Sequence, residues 1–207
     1  MCIRDSSRTM SQPSTSSPSP RLVVAGGLGS GKSTVAGLLA AKGAVVIEAD
    51  RIGHEVLAPG GAAFGPVAER WPHVVVGGSI DRRLLAAVVF GDADELAELE
   101  AITHPAISAE IRKQAHAVGD QPVVLEVPVP AVVGPGWIWI VVVADSTERV
   151  ARAVGRGMDE ADARRRIASQ LSDEGWRARA THVIVNDGTL EELSRQVDAV
   201  WEQVVAA

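Results

Sequence analysis

The residues best suited to chemistry begin at Gly26-Gly-Leu-Gly-Ser-Gly-Lys-Ser-Thr34, where glycines at positions 26 and 31 are followed directly by Lys32 and Ser33. Glycines let successive backbone N–H groups converge on one anion, and a helix N-terminus placed just after them already favours negative charge. Lys32 is long enough to reach β- and γ-phosphates, and the Ser33 hydroxyl is a hard oxygen ligand for Mg²⁺. Gly27, Leu28, Gly29, Ser30, Gly31 and Thr34 complete a phosphate-binding loop (P-loop) for a nucleotide such as ATP. The second chemical residue is Asp50, which follows the apolar run Ala44-Val-Val-Ile47. A carboxylate there can take a proton from an attacking hydroxyl or hold a metal through water. It can equally cap a helix over 51–57, and the two roles are compatible.

The elements around these residues follow from periodicity. Leu22–Ala25 reads as a strand and Thr34–Ala41 as a helix; 44–47 is a second strand, and ligands of open parallel sheets sit beyond the carboxyl ends of such strands. From Pro59 to Gly119 the pattern turns helical. Asp81 caps a helix over 82–90, a second covers 93–101, and Pro105 suits the first position of a third over 105–117. This insertion is placed to cover the sheet mouth and hold a second substrate. His104 there either bonds that substrate or caps the helix.

Pro122–Val127 is a third strand with Glu126 near its end, and Trp137–Asp145 is a fourth whose unbroken apolar run indicates burial on both faces. Asp145 imitates a metal-holding aspartate after an apolar strand, but the following Ser-Thr favours a helix cap. Between Arg149 and Arg179 stand eight arginines against five acidic residues, a local excess that suits a lid closing over polyphosphate. Arg152 and Arg156 share one helical face at i, i+4 and are the pair singled out for that task. His182–Val185 is a fifth strand; Asn186 after it either touches the adenine or serves the turn. Thr189-x-x-Glu192 is a capping box opening a final amphipathic helix.

The fold expected is a three-layer α/β P-loop NTPase fold: a five-stranded parallel sheet with a helical insertion (59–119) and an arginine-rich lid (149–179), all within one domain over 21–207. Residues 1–20, rich in Ser and Pro and without a signal-peptide core, read as a disordered leader, and Met10 is an alternative start. At 207 residues the chain can bury a full core. A net charge of −6, no Tyr and two Phe argue against nucleic-acid partners. Cys2 is the only cysteine, which suits a reducing compartment and makes cytoplasm the default. The longest uncharged run, Val127–Ala144, is broken by Pro and Gly, so no membrane span is expected.

Taken in order, several stretches resemble the dephospho-CoA kinases, P-loop kinases similar to nucleoside monophosphate kinases, over roughly 21–205. They are Gly26–Thr34, Val45–Arg51, Ser79-Ile-Asp-Arg82 with Val89-Phe90, Leu99–Pro105, Arg156-Gly-Met158 with Gln170, and Asn186-Asp-Gly188. The resemblance implies transfer of the ATP γ-phosphate to the ribose 3′-hydroxyl of dephospho-CoA, with ATP and Mg²⁺ bound. It implies Asp50 as the base, Lys32 and Ser33 as phosphate and Mg²⁺ contacts, and Arg152 or Arg156 as lid arginines. Arg82 and His104 fall in stretches implied to bind the acceptor.

The chain departs from that pattern at three places. Glu48 and Asp50 stand where two aspartates are usual; Pro128-Val-Pro-Ala-Val132 replaces a Pro-Leu-Leu-x-Glu pattern and so lacks its carboxylate; Trp176 replaces a common arginine. Two alternatives stay open: a P-loop kinase for another small hydroxyl acceptor, and a nucleotide-binding protein without transfer activity. A GTPase switch does not fit, since no Asn-Lys-x-Asp occurs.

Overall fold

The computed structural model describes residues 19–206. The leader assigned to residues 1–20 therefore lies outside the described residues except for Ser19 and Pro20, and the Pro20 carbonyl accepts from Val123 N at 3.0 Å. In chain order the elements are β1 (Arg21–Ala25), α1 (Lys32–Ala41), β2 (Val45–Glu48), α2 (Ala49–Val56), α3 (Phe64–Arg70), β3 (Val75–Val76), β4 (Ser79–Ile80), α4 (Arg82–Val89) and α5 (Ala93–Ala117). They continue with β5 (Val123–Val127), β6 (Ile138–Val143), α6 (Ser146–Gly155), α7 (Glu160–Ala168), α8 (Asp173–Arg177), β7 (His182–Val185) and α9 (Leu190–Val205).

Five strands form one parallel sheet in the order β2-β5-β1-β6-β7. The central strands are apolar without alternation because both faces are covered. On one face Val23, Ile47, Leu125 and Val141 pack with Ile52 of α2 and Ile111 of α5. On the other Leu22, Val24, Val124 and Ile140 pack with Leu39 of α1 and with Leu193 and Val197 of α9. The helix α9 starts where the capping box predicts: Thr189 Oγ1 accepts from Glu192 N at 3.2 Å and Glu192 Oε2 from Thr189 N at 2.8 Å. A cap of this kind stabilises by about 1 kcal/mol. Asp145 likewise caps α6 by accepting from Thr147 N at 2.8 Å, so its carboxylate serves the turn.

The insertion departs from its sequence reading in two places. The helices expected at 93–101 and 105–117 are one helix, α5, with Pro105 in its interior. A proline inside a helix forfeits its own N–H donor, and here one lost bond is outweighed by burial on both sides of it. Leu99 and Ile102 before Pro105 pack with Trp71 and Leu85, while Ile111 and Ala115 after it sit in the main core. The second departure is a two-stranded antiparallel hairpin, β3-β4, separate from the main sheet and turned at Gly77-Gly78, too short to announce itself by alternation.

Candidate active site

Loops after β1, β2, β5 and β7 meet at the carboxyl edge of the sheet, so the chemical residues converge there because the strands are parallel and adjacent. The P-loop enters α1 through Gly31, whose φ of 99° places it in the left-handed region, and no side chain caps the helix. The first N–H groups of α1 are therefore left to a ligand, as an anion site requires. Asn186 braces the loop from behind: its Nδ2 donates to the Ser30 carbonyl at 2.8 Å. Its side-chain donor is thus engaged with the loop, although Asn186 also lines a cleft with Gly31, Thr34, Arg152 and Leu190.

Lys32 Nζ donates to the Gly27 carbonyl at 3.2 Å. Burial pushes this ammonium below its ordinary range; Glu126 and then Asp50 oppose the shift, while Arg149 and Arg156 reinforce it. Ser33 Oγ donates to Glu126 Oε1 at 2.7 Å. Glu126 is the one charged residue of β5, and its register partner Val24 on β1 sits just before the loop.

Asp50 is not the cap of α2. That helix starts at Ala49, Glu48 holds the cap position without a side-chain bond, and Asp50 lies exposed in the first turn. From there it lines two clefts at once. One, of about 290 Å³, is formed with Gly29, Lys32, Ser33, Glu126, Arg156 and Gln170. The other, of about 230 Å³, is formed with Arg82, His104, Thr103, Ile107 and Val132. Pro128 also borders both. Either cleft alone is below the usual size of a small-molecule site, so the adjoining pair is the better unit. The structure thus brings Asp50, Arg82 and His104 together on one side and Lys32, Ser33 and Arg156 on the other.

Arg152 donates from Nη2 to the Asn186 carbonyl at 2.8 Å and from Nη1 to the Gly29 carbonyl at 3.4 Å. Arg156 is the C-cap residue of α6, directly after its last helical residue, and it lines one cleft together with Arg152, Gly29 and Asn186. Three polar residues received no role from the sequence: Glu126, Arg149 and Gln170. Arg149 is 5% exposed and donates from Nε to the Leu28 carbonyl at 2.9 Å, while Gln170 Oε1 accepts from Leu28 N at 2.7 Å. Glu126 had a usable signal, a lone carboxylate closing an apolar strand. Arg149 had none, being one arginine among eight. Trp176 is buried in the core, so it faces neither cleft.

The family model described as dephospho-CoA kinase matches residues 22–192. The chain belongs to the dephospho-CoA kinase family. A dephospho-CoA kinase of Streptomyces avermitilis is 43% identical over 189 residues, covering 87% of this chain and 91% of that one. A solved Thermus thermophilus protein is 34% identical with a TM-score of 0.78, covering 89% and 98%. A Campylobacter jejuni dephospho-CoA kinase shares the fold at 22% identity, TM-score 0.62, covering 91% and 99%. Val132, which stands where the resemblance implies a carboxylate, is buried and forms part of the apolar wall of the second cleft.

Proposed function

We propose that this chain transfers the γ-phosphoryl group of ATP to the ribose 3′-hydroxyl of dephospho-CoA, giving coenzyme A. The observation that carries this reading is Asp50, shared by the P-loop cleft and the cleft under the insertion. A donor on one side and a hydroxyl acceptor on the other meet at that carboxylate. In its exposed position Asp50 orients the hydroxyl and takes its proton as the bond to phosphorus forms. Lys32 and Arg156 hold the phosphate oxygens on the donor side, and Arg152 secures the loop and the end of β7 from the side of α6. Catalysis is then mostly positioning and electrostatic stabilisation.

A Mg²⁺ ion fits the donor set: Ser33 Oγ, Glu126 and Asp50 are all oxygen donors lining one cleft. An ion of this kind keeps several waters and is held by one or two protein oxygens together with substrate phosphates. When bound, that ion neutralises charge on the polyphosphate. Arg82 and His104 are assigned to the acceptor, and 59–119 to the segment that holds it. Among the described residues no helix is long and apolar enough to cross a membrane. A cytoplasmic location belongs to this proposal as well.

The test is ADP release dependent on dephospho-CoA, with the product identified by mass. A second reading rests on Val132, which puts an apolar side chain where the family pattern has a carboxylate. It assigns the second cleft to another small hydroxyl acceptor or to none. ADP release with a different acceptor from a panel would establish the first of these. ATP binding with no acceptor-dependent release would establish the second.

A further inference from the structure

Leu28, at the crest of the P-loop, is held by the arginine-rich segment through its backbone and its side chain. Its N–H donates to Gln170 Oε1 at 2.7 Å and its carbonyl accepts from Arg149 Nε at 2.9 Å. Its side chain packs with Val150, Ala153 and Ala163 of α6 and α7. The two clamping side chains also engage each other, Arg149 Nη2 reaching Gln170 Oε1 at 3.4 Å, and Arg149 Nη1 meets Asp173 Oδ1 at 3.3 Å. Both donors to Gln170 point at one oxygen, which fixes the orientation of its amide.

The flanking glycines fit the same contact. A Cβ at Gly27 would lie 2.0 Å from Arg149 Nη2, and one at Gly29 would lie 2.3 Å from the Arg149 carbonyl oxygen. Glycine at these two positions therefore admits α6 to the outer side of the loop, a demand separate from that of a phosphate on the inner side. Both polar groups of the Leu28 backbone are thus engaged by side chains of the arginine-rich segment. A surface loop is ordinarily among the more mobile parts of a fold. This one is tied at its crest by a nearly buried guanidinium fork.

We propose that Arg149 and Gln170 are positioning residues that lock the crest of the P-loop to the base of the lid. Loop and lid base then hold the transferring phosphoryl group as one body. The kinetic part of this inference rests on the kinase reading above; the structural part does not.

The test uses the full chain with Gln170→Ala, Gln170→Glu and Arg149→Lys, reading amide hydrogen exchange at Leu28 without nucleotide and steady-state kinetics with ATP and dephospho-CoA. In Gln170→Ala, Leu28 exchange rises about tenfold or more while exchange in β5 and β6 stays at the wild-type rate. Its kcat falls about tenfold and its KM for ATP moves less than about threefold, because the α1 N-terminus remains intact. Gln170→Glu keeps an acceptor oxygen and returns Leu28 exchange towards wild type. Arg149→Lys keeps the charge without the fork and behaves like Gln170→Ala. Unchanged Leu28 exchange in Gln170→Ala, or faster exchange with unchanged kcat, overturns the proposal. Absence of wild-type turnover overturns the kinase reading instead, and Leu28 exchange alone then decides the clamp.

Discussion

Ser33 Oγ donates to Glu126 Oε1 at 2.7 Å, linking the first turn of α1 to the end of the neighbouring strand β5. The hydroxyl expected to ligand Mg²⁺ is thus oriented by a carboxylate that itself lines the cleft. Outer partners of metal ligands typically change metal affinity 10- to 100-fold when removed. In Glu126→Gln the geometry is kept and the charge is lost. The Mg²⁺ concentration for half-maximal turnover is expected to rise about tenfold or more. Titration of activity against Mg²⁺ checks it, and an unchanged midpoint would remove Glu126 from the metal site.

Asp50 sits between the two clefts and forms no part of the capping of α2, so its carboxylate is free for chemistry. Asp50→Asn preserves shape and removes the base. Turnover is expected to fall about 10²-fold or more while ATP affinity, set across the cleft by the P-loop, stays nearly constant. Coupled ADP release and ATP titration measure the two separately. Near-wild-type turnover would assign proton removal to another group or to water.

The donor half of the site was readable from the sequence because its signals are local. Gly31-Lys32-Ser33 carries its own geometry, and Asp50 needs only the end of one strand to be located. Arg149 and Gln170 were not readable as a pair, since their meeting point is the Leu28 backbone, 121 and 142 residues away in the chain. Pro105 misled for a different reason. Its local preference for a helix start was overridden by packing of α5 on both the insertion core and the sheet. Asp50 as a cap failed by two residues, within the usual uncertainty of helix boundaries.

Gly31 combines a φ of 99° with a neighbour that leaves no room: a Cβ there would lie 2.1 Å from Asn186 Nδ2. Gly31→Ala therefore adds left-handed strain of about 1–2 kcal/mol and disrupts the Asn186 bond to Ser30, worth about 1 kcal/mol. The melting temperature is expected to drop by roughly 5–10 °C. In a double-mutant cycle, Asn186→Ala costs less in the Gly31→Ala background than alone, because it removes the collision and the bond to Ser30 is already disrupted there. Additive losses would show that strain at Gly31 acts without Asn186.

Lys32 is expected to trade stability for function. Its ammonium is held below the ordinary lysine range chiefly by burial, against the opposing pull of Glu126 and Asp50. The unfolded chain therefore binds this proton more readily than the folded one. The stability cost is fully present below the folded pKa, and is relieved as pH rises towards the unfolded value. Lys32→Met keeps the apolar stem and removes the buried charge. Without nucleotide its melting temperature at neutral pH is expected to match or exceed wild type, with any excess shrinking above the folded pKa of Lys32. Turnover falls about 10²-fold or more, since the variant lacks the charge that meets the phosphates. Melting curves across pH, with and without ATP, separate the two effects. A nucleotide-free variant that melts well below wild type at neutral pH would mean that the attraction of Glu126 and Asp50 outweighs burial at this lysine.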